Sequence, residues 1–196
     1  MLRSDAFDFF VFFVFFVFFV FQSLESGTSM GIEIERKFLV IGNAWRGLVS
    51  RSEAMVQGYL AGPPAARCSV RVRVAGEQAF LNIKSATPGI ARDEYEYAIP
   101  PNDAERMLAT LAGDIVAKRR HYVDIDGHLF EVDEFGGDNA GLIVAELELD
   151  RVNASFPRPP WLGREVSALV RYYNLHLAAH PYSRWSAAER NADDAT

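Results

Sequence analysis

From residue 31 onward the chain alternates. In GIEIERKFLV (31–40), Ile32, Ile34 and Phe38 fall on one side of an extended segment, and Glu33, Glu35 and Lys37 on the other. Side chains two apart on a strand point the same way, so this is strand patterning. The same period recurs between turn-forming residues and predicts strands over 32–40, 54–60, 68–74, 79–85, 91–99, 115–125, 128–135 and 142–150. AGEQ closes a hairpin between 68–74 and 79–85, and Asp126-Gly127 closes another between 115–125 and 128–135. A helix is expected over 100–113, capped by Asn102 or Asp103, apolar at Met107, Leu108 and Leu111, and stopped by Gly113. After the proline-rich FPRPP, a C-terminal helix is expected from about 162 to 179, with Trp161, Trp185, Tyr172 and Tyr173 packing it onto the strands. These elements make one mainly β, α+β domain over 30–180, followed by a flexible tail over 181–196.

The polar side of the alternation carries charge. Arg71 and Arg73 share a face, opposite valines; Lys84 follows on the next strand. Arg92, Glu94 and Glu96 share a face, as do Lys118 and Arg120, Glu131 and Asp133, and Glu146 and Glu148. One such strand would be an ordinary solvated face, where cross-strand ion pairs are common and contribute little. Recurrence on nearly every strand, with almost no Thr, Ser or Gln, points to faces that converge inside a closed barrel. Buried charges must be paired or bind ions. Carboxylates hold hard divalent cations and Arg or Lys hold phosphate oxygens, so the mixture suits a metal-bound polyphosphate.

Composition narrows this picture. The net charge of −6 in 196 residues argues against general nucleic-acid binding. The single cysteine, Cys68, excludes an intramolecular disulfide and fits a cytoplasmic location. His121, His128, His176 and His180 have no metal-ligand spacing and read as structural or surface residues. Residues 1–29 are of another kind, with a Phe/Val repeat at 9–21 that is short for a membrane-spanning helix and lacks a basic leading segment. They read as a low-complexity extension upstream of a true start at Met30, with a membrane anchor as the alternative.

In this order the motifs resemble the CYTH superfamily, also called triphosphate tunnel metalloenzymes. The opening Glu33-Ile34-Glu35-Arg36-Lys37 matches its ExExK signature. The likeness continues through Gln57-Gly58-Tyr59-Leu60, Arg71 and Arg73, Lys84, Glu94 and Glu96, Lys118 and Arg120, Glu131 and Asp133, and Glu146 and Glu148. It covers 31 to about 175 and fits the short, single-domain bacterial type. The resemblance implies a closed eight-stranded antiparallel β-barrel, open as a tunnel, with peripheral helices and a C-terminal helix. It implies a small-molecule triphosphate substrate and Mg²⁺ or Mn²⁺ held by Glu33, Glu35, Glu146 and Glu148, with Glu131 and Asp133 helping. Lys37, Arg71, Arg73, Lys84, Lys118 and Arg120, and more weakly Arg92, would neutralise phosphate; Glu94 and Glu96 would support them. A Lys37–Tyr59 pair would be catalytic, although Tyr59 reads equally as a buried aromatic. The expected reaction is metal-dependent hydrolysis of inorganic triphosphate to diphosphate and phosphate. An organic-triphosphate enzyme of the same fold (adenylate cyclase, thiamine triphosphatase or nucleoside triphosphatase) and a non-catalytic polyphosphate-binding module are the alternatives. No protein partner is identifiable, and a homodimer is left open.

Overall fold

A computed structural model describes residues 30–87 and 89–191. The readings of residues 1–29, and of 192–196 as tail, lie outside them. The strands are β1 (Met30–Val40), β2 (Val49–Ala61), β3 (Cys68–Ala75), β4 (Gln78–Ser85), β5 (Ala91–Ala98), β6 (Ile115–Ile125), β7 (His128–Phe135), β8 (Ile143–Glu148) and β9 (Leu162–Glu165). Eight of them follow one another around a closed barrel in the order β5-β4-β3-β2-β6-β7-β8-β1, with β1 returning to β5. Every pairing is antiparallel, as is expected where short turns join successive strands. The β6–β7 hairpin turns on Asp126 (φ 52°) and Gly127 (φ 79°), the two positive values that a type I′ turn needs.

Closure depends on β1 pairing in two halves. Met30–Ile34 lie along β5, and Glu35–Leu39 lie along β8. The β1 edge beyond β5 would expose backbone donors and acceptors. β9 covers it, pairing Phe38 with Glu165 and Val40 with Leu162. The helix expected from 162 is therefore a strand first. It gives way to a 3₁₀ turn at Val170–Tyr172 and only a short helix, α2 (Asn174–Ala179). Tertiary demand for an edge partner overrides the local pattern there.

The barrel is apolar outside and charged inside. Phe38, Val123, Phe130, Val132 and Leu147 face outward and are buried by Trp45, which sits on the 3₁₀ turn Ala44–Leu48, and by Trp161. The Phe130 and Trp161 rings meet edge-on at 5.3 Å. Val72 and Ala79 lie beneath Ala104 of helix α1 (Pro101–Thr110). No side chain caps this helix, so the expected Asn102 or Asp103 cap is not made. Pro101 suits the first turn by its fixed φ, and Asp103 there complements the helix dipole. Gly58 of β2 lets this corner close, because a Cβ there would stand 2.7 Å from the Ala112 Cβ.

A third cluster sits inside the barrel at one rim. Val116, Phe135, Leu142 and Val144 pack there under Val166, Tyr172, Leu177 and Trp185. Packing thus continues past residue 180. Trp185 is edge-on to Tyr172 at 5.0 Å and its indole N–H donates to the His180 carbonyl at 3.0 Å. The last described element is α3 (Ala187–Asn191). Among the described residues no helix is long and apolar enough to cross a membrane.

Candidate active site

Inside the barrel is a cavity of about 310 Å³. Alternation places charged side chains in it from seven strands. β1 supplies Glu33, Glu35 and Lys37; β3 supplies Arg71 and Arg73; β4 supplies Lys84; β5 supplies Arg92, Glu94 and Glu96. β6 adds Arg120, β7 adds Glu131, and β8 adds Glu146 and Glu148. Tyr59 of β2 also lines the wall. Lys118 and Asp133, expected among the ligands, do not line it. They are buried and bonded to each other, with Asp133 fully inaccessible.

Arg120 is the hub of the buried pairs. Its Nε and Nη2 each donate to Asp133 at 2.7 Å, and it also bonds Glu131 and Glu146. Lys37 bonds Glu146 and lies 2.6 Å from Glu35. Glu33 accepts from Lys84 at 2.8 and 2.9 Å and from Arg92 Nε at 2.8 Å. Arg73 holds Glu96 at 2.8 Å, and Asn82 donates to Glu94 at 3.0 Å and to Glu96. Of the described Asp, Glu, Lys and Arg side chains that line the cavity, two stand apart: Arg71 has no carboxylate in ion-pair range, and Glu148 has no cation.

The electrostatics follow from these contacts. Burial alone would raise Glu33 and Glu146. Lys84 and Arg92 hold Glu33 well below the usual carboxylate range, and Lys37, Lys118 and Arg120 do the same for Glu146. Burial raises Glu148, and the charges of Glu33, Glu131 and Glu94 raise it further. Glu35 is raised in the same way by burial and Glu146. Burial disfavours the Lys37 ammonium, but Glu146 and Glu35 outweigh it and hold its pKa above the ordinary value. Lys37 is thus a permanent cation. Tyr59 is raised by burial, although Arg71, Arg92 and Lys37 pull the other way, so its hydroxyl stays protonated.

A divalent metal fits this donor set. The described His, Cys, Asp and Glu side chains form no ready-made group of three in ligand geometry, because most acids turn to Lys and Arg. All the acids nevertheless offer hard oxygen donors. Glu35 and Glu148 are register partners on β1 and β8, and a bound cation would relieve the like-charge strain on both.

Several cavity residues carry no period-two signal. Tyr173, Asn174 and His176 reach the cavity from the chain crossing the rim. Tyr173 donates to the Ser167 carbonyl at 2.9 Å, and the Arg92 guanidinium lies 5.7 Å from its ring centre. Tyr173 is expected as packing and His176 as a structural or surface residue; nothing in a short irregular segment marks which side meets the barrel. His121, by contrast, is outside the site, bonded to Ser52 at 2.8 Å.

Comparison with known proteins agrees with this geometry. The inorganic triphosphatase of Acetivibrio thermocellus is 41% identical over 157 residues, covering 80% of this chain and 99% of that protein. The inorganic triphosphatase of Nitrosomonas europaea is 37% identical over 150 residues, covering 74% of this chain and 96% of its own. A crystal structure of the inorganic triphosphatase NE1496 superposes with a TM-score of 0.53 at 34% identity, covering 74% of this chain and 93% of that one. The CYTH domain model matches residues 31–179, from the first carboxylate strand through the segment that crosses the rim. A charged barrel interior, its strand order and this match over most of the sequence lead to one conclusion: the chain belongs to the CYTH domain family.

Proposed function

We propose that the protein hydrolyses inorganic triphosphate to diphosphate and phosphate with Mg²⁺ or Mn²⁺. One observation carries the reading: the cavity is lined by cations for a phosphate chain and carboxylates for a metal, and Arg71 among them has no carboxylate partner. The names of the two relatives point to the same substrate.

Glu33, Glu35, Glu146 and Glu148 would hold the metal, with Glu131 beside them. When bound, it supplies charge neutralisation on phosphate oxygens and a water of lowered pKa. Arg71, Arg73, Lys84, Arg92 and Arg120 bind and orient the phosphate chain, and Glu94 and Glu96 hold Lys84 and Arg73 in place. Lys37 stabilises charge that develops on the transferring phosphoryl group. Lys118 and Asp133 act from beneath by fixing Arg120. Tyr59, protonated, donates a hydrogen bond to a phosphate oxygen. Tyr59→Phe then lowers kcat by about 10²-fold and leaves KM nearly unchanged. An unchanged kcat in steady-state assays would return Tyr59 to a packing role.

A second reading has one observation in its favour: Tyr173, His176 and a buried Asn174 Oδ1 without a hydrogen-bond partner stand at the cavity, where a ring could lie. The deciding experiment compares phosphate release from tripolyphosphate, ATP and thiamine triphosphate, each with Mg²⁺, Mn²⁺ or EDTA. Metal-dependent release from tripolyphosphate far above the others is expected. Preference for an organic triphosphate would overturn the inorganic reading, and tight binding without turnover would make the protein a binding module.

A further inference from the structure

The barrel wall formed by β2, β3 and β4 contains a buried set of hydrogen-bonding atoms that the reaction described above does not use. Gln57 is completely inaccessible, yet neither its Oε1 nor its Nε2 has a partner. Asn82 is also completely inaccessible, and its Oδ1 has none. The Nε atoms of Arg71 and Arg73 are buried and unpartnered as well. The register brings these four residues together: Gln57 is opposite Arg73, and Arg71 is opposite Asn82. Gln57 shares the inward face with Tyr59, and Asn82 shares it with Lys84. Neither amide lines the cavity itself.

Leaving a buried donor or acceptor unsatisfied costs about 1–3 kcal/mol, so four neighbouring residues with orphaned atoms need an explanation. The atoms are complementary. Two carbonyl oxygens accept, and two guanidinium N–H groups and one amide donate. A water molecule accepts two hydrogen bonds and donates two, and buried waters characteristically join polar atoms that would otherwise be unpaired. We propose that Gln57, Asn82 and the Nε groups of Arg71 and Arg73 bind one or two internal waters, and that these waters hold the two arginines in position for the phosphate chain. Gln57 is then a positioning residue: it acts through Arg71 and Arg73 without touching substrate. The functional half of this inference rests on the triphosphatase reading; the water site does not.

Two measurements test it. A high-resolution crystal structure of the substrate-free protein should contain ordered water within hydrogen-bond distance of Gln57 Oε1 and Arg73 Nε. A dry wall, with the amides bonded directly to protein, overturns the proposal whatever the substrate proves to be. Gln57→Met, close in volume and apolar, should raise KM for tripolyphosphate about tenfold, the scale of one lost hydrogen bond to a charged group. Its Tm should fall by a few degrees, because the hydrogen bonds between the amide and the buried water are lost, while kcat stays near that of the unsubstituted protein. Gln57→Leu provides the same reading should the methionine pack badly. A KM within about twofold of the unsubstituted protein, or a fall confined to kcat, overturns the positioning role. Wild-type turnover of tripolyphosphate in the same assay keeps failure here distinct from failure of the substrate assignment.

Discussion

Arg120→Met is expected to cost about 3–5 kcal/mol of stability, because it strands buried carboxylates that have lost their shared cation. For a chain of this size the fall in Tm is roughly 10 °C. Asp133 is the reason for the size of the effect. It is fully inaccessible and receives two guanidinium hydrogen bonds of 2.7 Å from Arg120, leaving Lys118 alone to neutralise it if they are lost. Lys118 is poorly suited to that task alone, since burial disfavours its charged form. Thermal unfolding followed by far-ultraviolet circular dichroism measures the change. A Tm within about 2 °C of the unsubstituted protein would show that the network is solvated and contributes little.

Glu148→Gln should abolish metal-dependent turnover, by at least about 10³-fold, if this carboxylate helps to hold the metal. The metal-free variant should not lose stability. Burial and the charges of Glu33, Glu131 and Glu94 hold the folded-state pKa of Glu148 above 4.5, so its ionised form is disfavoured in the fold. The resulting penalty is absent below the unfolded pKa and fully present once pH rises above the folded one. Removing the charge at neutral pH therefore raises Tm slightly, by about 1–2 °C given the solvent exposure of this residue. The same sign governs the enzyme. As pH falls through the raised pKa of the metal-free protein, Glu148 takes up a proton, so metal binding weakens at a higher pH than it would at an unshifted carboxylate. Calorimetric unfolding with and without Mg²⁺, alongside phosphate release, reads both effects. Retained activity in the variant would remove Glu148 from the metal site.

Strands were legible because period-two alternation survives on a barrel whichever face is buried, and Glu33, Lys37, Arg71 and Glu148 announced the inner face by charge. The sense of that alternation came from recurrence across strands, since one strand cannot say which side is the interior. β9 was not legible: Leu162–Glu165 becomes a strand only because β5 stops short on β1 and leaves an edge to cover. Tyr173, Asn174 and His176 were missed for a related reason, since their neighbours are set by how a short irregular segment crosses the rim. Lys118 and Asp133, expected among the ligands, fall outside the cavity lining because of their depth. Their parity is that of Arg120 and Glu131, but they lie nearer the filled rim, and parity carries no information about distance along the barrel axis.

The reversed barrel, with charges along its interior, two apolar clusters outside and a third filling one rim, has a consequence for cooperativity. A conventional domain transmits the loss of one contact through a single shared core. Here the clusters under Trp45 and Ala104 lie on the outer wall, the one under Trp185 lies within the rim, and an ionic cavity occupies the rest of the interior. The hydrogen-bonded ladders are what join them, so this protein holds together as a hoop does, by tension around its circumference, and the β1–β5 seam is where the hoop is fastened.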